Sequence, residues 1–269
     1  MQYEPIKNSL DRFIGDSLFM RKSLYFFLDI LLLRTWHVKK ALRGIAREYP
    51  GEATILDAGS GLGQYTWRMC RMNSKWRIKA VDINRDQIED CRKFFNKTGK
   101  GNMVEFETAD LTKISETATY NIVLSVDVME HIEEDVLVFS NFNKALKENG
   151  VLLISTPSDQ GGSDVHGEGE ESFIDEHVRD GYSIEDITLK LQKAGFKKVN
   201  ASYTYGKPGS ISWRLSMKYP VTMLNRSYLF FILLPFYYLV TFPVSIVLNF
   251  FDLYGTHQSG TGLLVIARK

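Results

Sequence analysis

The residues able to do chemistry are concentrated in the first half of the chain. Asp57 closes a short β-rich run and opens the loop Asp57-Ala58-Gly59-Ser60-Gly61-Leu62-Gly63. Glycines in such a turn let the backbone approach a ligand closely, and the next helix points its N-terminus at it. Asp82 ends the run RIKAVD, about 20 residues on, where an acid can hydrogen-bond two ribose hydroxyls. Asp110 ends a third run, MVEFETAD, where it can accept from a donor on a base ring. Three acids at the ends of three successive strands point to a nucleoside-bearing cofactor. A dinucleotide fingerprint would place its third glycine at position 64. Here that position is Gln and the glycine is at 63. That spacing argues against an NAD-dependent oxidoreductase, which is kept as the alternative reading.

These residues need strands and helices to hold them. Apolar spacing predicts helices over 17–48, stopped by Pro50-Gly51. Strands are expected at 54–58, 77–82, 103–110, 120–126, 151–156, 197–205 and 261–269. Helices are expected at 62–72, 85–96, 133–148 and 183–196, with Gly150 as the stop signal of the third. Ser183 and Asp186 read as a capping box. YNIVLSV is continuously apolar, as in a strand buried on both faces. Alternating strands and helices predict an α/β, doubly wound, Rossmann-like seven-stranded sheet. The last strand should run antiparallel, because a long insertion replaces the usual crossover helix.

The ordered set ILDAGSGLGQYT, AVDIN, ETADL, YNIVLSVDVMEHI and GVLLISTP resembles class I S-adenosylmethionine-dependent methyltransferases, within them the small-molecule and quinone-biosynthesis branch. The likeness runs over about residues 50–200, with the closing strand at 261–269. It implies S-adenosyl-L-methionine as cofactor. Asp57, Gly59, Ser60, Gly61 and Gly63 would line its methionine part. Asp82 would hold the ribose, with Ile83 beside the adenine. Asp110 and the Leu111 backbone would meet the adenine edge. Ser125, Val126 and Asp127 would border the methyl-transfer site. A hydroxyl acceptor also needs a base, and the candidates are His131 after the fourth strand and His166 and His177 in an acidic loop. His37 and His257 have weaker claims. In some quinone methyltransferases a run like Asp127, Glu130 and His131 binds a divalent cation. The spacing suits hard-cation ligands only loosely, and no metal is expected.

The net charge of +1 conceals an uneven distribution. Residues 158–186 carry ten acids and one base, whereas 187–251 carry eight bases and no acid. Residues 30–47 are also acid-free and basic. Residues 228–251 are 24 uncharged, mostly apolar positions, long enough to cross a bilayer. Apolar runs beside basic ones suggest an anionic membrane surface. A single span is excluded if the strands on either side share a sheet. Pro235 and Pro243 predict two short helical pieces dipping into one leaflet. Trp213, Tyr228, Tyr237 and Tyr238 suit the interface. The division expected is a helical cap at 1–50, a methyltransferase domain at 51–206 with 261–269, and an apolar insertion at 207–260. The insertion is membrane-associating or, alternatively, an active-site cap in a soluble enzyme. The acidic loop 158–182 reads as a lid over the acceptor.

Two cysteines outside any ligand pattern and an N-terminus unlike a signal peptide suggest a reduced, cytoplasmic chain. It would sit peripherally or monotopically on the inner face of the membrane. Methylation of a lipophilic small molecule, on oxygen, is the expected activity. Basic segments without interleaved aromatic stacking order argue against nucleic acid.

Overall fold

The computed structural model describes residues 17–161, 178–227 and 229–269. Two helices lead, α1 (Leu18–Leu31) and α2 (Leu33–Ala46). Ser17 caps the first by accepting from the Met20 N–H. There follow β1 (Ala53–Ala58), α3 (Gln64–Met72), β2 (Trp76–Asp82), α4 (Arg85–Lys97), β3 (Val104–Thr108) and β4 (Tyr120–Val126). Next come α5 (Asp135–Ala145), β5 (Leu146–Pro157), α6 (Ile184–Lys193) and β6 (Lys198–Thr204). The chain closes with β7 (Gly262–Arg268). Ser183 caps α6 through the Asp186 N–H, as its sequence predicts.

The strand order is β3-β2-β1-β4-β5-β7-β6. β7 is antiparallel to both β5 and β6, and the other neighbours are parallel. Alternate residues of the central strands feed two cores. Ile55, Ile122 and Leu124 face α2, α3 and α4. Leu56 and Val123 face α5 and α6. The chain reverses its direction of winding between β1 and β4. An open sheet of this kind binds ligands at that switch point, beyond the strand C-termini.

The third predicted helix is shorter than expected. It ends at Ala145, and Leu146 already pairs with Tyr120. The N–H groups of Ala118 and Thr119 take the carbonyls of Lys144 and Ala145. Strand pairing there overrides a locally helical sequence. The tight bend falls at Asn149, in the left-handed region with φ 62°.

Residues 205–261 leave the sheet at Thr204 and return at Gly262, which are direct partners. The outgoing arm is α7 (Lys207–Trp213), a π turn (Arg214–Lys218) and α8 (Tyr219–Arg226). The returning arm is one helix, α9 (Phe230–Tyr254), about 37 Å long at 1.5 Å per residue. The expectation of two short pieces is thus corrected. Pro235 and Pro243 both sit inside α9. The ring's fixed φ matches the helix, and each proline removes only one N–H. The hairpin turns instead near 227–229, between the ends of α8 and α9.

Pro220 explains the π turn. It has no N–H to give the Ser216 carbonyl, and the Tyr219 N–H reaches back to Arg214 rather than Leu215. Two carbonyls are released. The Tyr238 hydroxyl donates to Ser216 O at 2.8 Å and the Tyr237 hydroxyl to Leu215 O at 2.7 Å. The hydroxyls of these tyrosines therefore bind the partner helix. Tyr228 lies outside the described residues.

Candidate active site

The loop after β1 is built for close approach. The N–H groups of Gly59 and Ser60 both donate to Val81 O, at 2.8 and 2.9 Å. Gly59 has φ 79°, and a Cβ there would lie 2.2 Å from Val128 Cγ2. Gly61 has φ 50°, and a Cβ on it would meet only Gln87 Oε1, at 3.9 Å. That side of the loop opens toward a ligand. Gly63 is the N-cap of α3.

The loop is held from both sides. Asp82 accepts from the Gly61 N–H at 2.8 Å through Oδ2 and from the Asn84 N–H at 2.9 Å through Oδ1. On the other side, α1 presents Arg21, Tyr25 and Asp29, four residues apart and so on one helix face. Arg21 and Tyr25 donate to Leu62 O at 2.9 and 2.5 Å. Asp29 accepts from Gln64 and pairs with Arg68 of α3. The helical spacing of α1 was legible in the sequence, but this clamp was not.

Asp57 lies beneath the loop and is buried, accepting from the Thr66 hydroxyl at 2.5 Å. Burial pushes its carboxyl up to about 7; Asp82 adds to the rise and Thr66 opposes it. Two hydroxyls at this crevice, Ser60 Oγ and Ser125 Oγ, are buried with no hydrogen-bond partner among the described residues. Orphaned hydroxyls of this kind call for a polar ligand. Ala58 and Ser125 are register partners on β1 and β4, so both serines stand at the switch point. Ile83 is 78% exposed just beyond β2, an apolar surface available to cover a flat ring. Leu111 is buried. Asp110 accepts from the Thr112 N–H and hydroxyl and pairs with Lys113. These contacts hold its carboxyl down to about 2, so it is a turn cap as well as a candidate ligand group.

A second site adjoins the first. Val126 ends β4, and Asp127 follows in the left-handed region with φ 51°, a strained conformation for a residue with a side chain. Its carboxylate pairs with Arg34 of α2. The two line a cavity of about 190 Å³ that also involves Thr156, Tyr205, Trp213 and Arg214. Thr156 donates to Glu130 Oε2 at 3.0 Å. Glu130 is buried, and burial pushes its carboxyl up against the opposing pull of its own N–H, His131, Thr156 and Arg34. His131 is exposed and does not line this cavity. His166, His177 and most of the expected lid lie outside the described residues. No group of three His, Cys, Asp or Glu is placed to hold a metal among the described residues. Glu130 turns inward to Thr156 while Asp127 turns to Arg34.

Sequence reading missed Arg34, Thr156, Trp213 and Arg214 as site residues. Three of them, Arg34, Trp213 and Arg214, fall in the basic stretches it had noted. Only the fold brings Arg34 to Asp127, 93 positions away.

The hairpin borders the same cavity through α7 and is inverted relative to a soluble helix pair. The buried residues of α9 are Ser245, Asn249 and Asp252. Across from them lie Gly209, Ser212 and Ser216, and Ser212 donates to Ser245 O at 3.2 Å. The outward face carries Ile232, Phe236, Leu239 and Val240, each more than two-thirds exposed. Small and polar residues in the seam with apolar ones outside are the packing pattern of helices in lipid.

Comparison with known proteins agrees with this architecture. Residues 51–203 match a family described as a methyltransferase domain. A phosphoethanolamine N-methyltransferase of Triticum aestivum is 29% identical over 153 residues, covering 56% of this chain and 29% of that protein. A ubiquinone biosynthesis O-methyltransferase of Pelagibacter ubique is 26% identical over 102 residues, covering 38% of this chain and 41% of that protein. The match therefore spans less than half the length of either relative. A phosphoethanolamine N-methyltransferase of Haemonchus contortus, solved with phosphomonomethylethanolamine and S-adenosylhomocysteine, superposes with a TM-score of 0.59 at 18% identity. That superposition covers 86% of this chain and 53% of the other.

Proposed function

The chain belongs to the methyltransferase-domain family, within the class I S-adenosylmethionine-dependent enzymes, and from that premise we propose that it methylates a lipophilic small molecule, on oxygen, at a membrane surface. S-adenosylmethionine supplies an already activated methyl group. The chain's residues have to bind, orient, exclude water and remove a proton. The loop from Gly59 to Gly63, Asp82, Ser60 and Ser125 fit the cofactor, because two of these groups are buried hydroxyls without partners among the described residues. Asp57 supports the loop from below through Thr66. Asp110, Leu111 and Ile83 stand at the neighbouring strand ends for the adenine.

Proton removal falls to Thr156 and Glu130. A hydroxyl acceptor in the cavity would give its proton to Thr156 Oγ1 as Thr156 passes its own to Glu130, 3.0 Å behind it. A buried carboxyl with a raised pKa beside a cleft suits that task. It is proposed beside the histidines considered from sequence, of which His131 is exposed and His166 and His177 lie outside the described residues.

The observation that supports the membrane is the inverted hairpin. Its apolar outer face, from Leu229 to Tyr254, is continuous and exposed. Phe19, Phe26 and Phe27 of α1 are exposed as well. Patches this large are rare on soluble monomers. Both ends of the hairpin return to one sheet, so the protein would enter one leaflet from one side. The basic residues Lys207, Arg214, Lys218 and Arg226 of the outgoing arm favour the inner, anionic face.

Vesicle flotation tests the reading. The wild type should float with phosphatidylglycerol-containing vesicles, weakened but not released by salt. Changing Phe231, Ile232, Leu233 and Phe236 to Ser should release it and leave S-adenosylhomocysteine binding intact. A wild type that stays with the aqueous phase would mean the hairpin is a soluble cap.

A further inference from the structure

The hydrogen bond from Thr156 to Glu130 joins the ends of two different strands, so both ends have to be fixed. Thr156 is held by the sheet, where it is the register partner of Leu263 on β7. Glu130 has no such support. It lies past the end of β4, in a single 3₁₀ turn (Met129–His131) without a side-chain cap. So short a turn has poor hydrogen-bond geometry and little stability of its own. The chain enters it through Asp127, which is strained at φ 51°.

Residues 178–182 supply the missing support, because they bind both ends at once. Toward β5, the Tyr182 N–H donates to Pro157 O and the Asp159 N–H to Tyr182 O, each at 3.1 Å. Gly181 permits this approach: it has φ 132°, and a Cβ there would lie 2.4 Å from Ser158 O. Toward Glu130, the same segment takes hold of the backbone on either side of it. The Val178 N–H donates to Glu130 O at 3.1 Å. Arg179 Nη2 donates to Ile132 O at 2.6 Å and to Glu133 O at 3.1 Å. The Tyr182 hydroxyl lies 3.0 Å from Met129 O and accepts from Arg179 Nη1 at 2.9 Å. Asp135, buried at the start of α5, pairs with Arg179 and with Lys190 of α6. A planar fork of donors lets one side chain reach two carbonyls and a carboxylate together, which a compact ammonium cannot do.

We infer that Arg179 and Tyr182 are positioning residues for proton removal: they clip the backbone of residues 129–133 to the exit of β5 and so hold the Glu130 carboxyl against Thr156. Neither residue lines the cavity beside Asp127. Both act through Glu130, so the inference rests on the reading of Glu130 as proton acceptor. Loosening the clip admits water to a carboxyl that is now buried. The other groups that act on it, namely its own N–H, His131, Thr156 and Arg34, are left in place. The titration of Glu130 therefore reports on the clip.

The test is that titration, in the full chain saturated with S-adenosylhomocysteine. It is read from the carboxyl-carbon resonance of isotope-labelled glutamate, with Glu130 assigned by its loss in Glu130→Gln. The wild-type carboxyl should titrate above the ordinary glutamate value. Arg179→Lys keeps the positive charge but not the fork, and should lower the Glu130 midpoint by about one pH unit or more. Tyr182→Phe keeps the buried ring and removes only the hydroxyl; it should shift the midpoint the same way by less, and it decides the question if Arg179→Lys does not fold. An unchanged midpoint in the folded variants would overturn the clip, because a loss of stability alone leaves the titration of the folded state where it was. A wild-type midpoint at the ordinary value would instead overturn Glu130 as proton acceptor, and the clip's role with it.

Discussion

Asp252 should hold the hairpin to the catalytic domain, and Asp252→Ala should release it. Its side chain is fully buried. Oδ1 accepts from His37 of α2 at 2.9 Å and from the Tyr205 N–H at 3.2 Å. Oδ2 accepts from the Gly209 N–H at 3.0 Å and lies 3.3 Å from His257 Nε2. One carboxylate thus joins α2, the end of β6, the start of α7 and the chain leading into β7. Alanine leaves two backbone N–H groups without partners, each worth about 1–3 kcal/mol when buried. The combined loss should be about 3–5 kcal/mol, as for other broken buried pairs. At 1.4 kcal/mol per tenfold, hydrogen-exchange protection over 207–254 should fall by roughly two to four orders of magnitude, with β1, β4 and β5 little changed. The pH dependence has a definite sign. Burial alone would raise the Asp252 carboxyl, but His37, His257 and the Gly209 N–H together hold it below its ordinary value. The anchor is therefore intact above the unfolded-state pKa and weakens as pH falls through the folded one. The alanine variant should lack that acid-dependent component. Unchanged protection of the hairpin, or an equal loss across the whole sheet, would refute Asp252 as a local anchor.

Three further outcomes are expected. Gly59→Ala places a Cβ 2.2 Å from Val128 at a positive φ, which should destabilise the fold by about 1–3 kcal/mol in urea and weaken cofactor binding by calorimetry, with Val128→Ala restoring part of both. Glu130→Gln should slow methyl transfer by about 10²–10⁴-fold and remove the rise in rate with pH that the wild type shows as Glu130 ionises, measured as a pH–rate profile at saturating cofactor. Asp57 is raised from 3.8 to about 7, so its contribution to stability is full below the unfolded value and declines as pH rises through about 4 to 7; over that interval it is worth up to ~4 kcal/mol. Asp57→Asn should raise the melting temperature at pH 8 and leave it nearly unchanged at pH 4, compared without cofactor.

Much of the catalytic domain was legible because its signals are local. The apolar run YNIVLSV is β4 to the residue, and Ser183 caps α6 where its spacing to Asp186 predicts. The glycines at 59, 61 and 63 all adopt positive φ, a demand written into their lack of a side chain. The acid one residue before the end of β1, the one that ends β2 and the one just past β3 fall at one end of the sheet because parallel strands put equivalent positions together. The long apolar run and the basic residues beside it were also plain from composition; the return of both its ends to one sheet followed only on the expected fold, and Thr204 pairs with Gly262.

What the sequence could not decide was which way side chains face and which distant residues meet. Local periodicity carried α5 to residue 148, and pairing of Leu146 with Tyr120 stopped it at Ala145. Two prolines suggested a broken insertion, yet both fit inside α9, and the outgoing arm is reorganised by Pro220 instead. That the hydroxyls of Tyr237 and Tyr238 meet two carbonyls 22 positions away was not legible either. Glu130 was not legible as a candidate base, because only tertiary packing strips a carboxyl of water and raises its pKa. Arg34 reaches Asp127, and His37 reaches Asp252 across 215 positions. A sequence specifies the chemistry each residue brings and the local geometry it tolerates. Desolvation and long-range pairing exist only once the chain has closed on itself, and these set the cavity beside Asp127 and the hairpin's inverted seam.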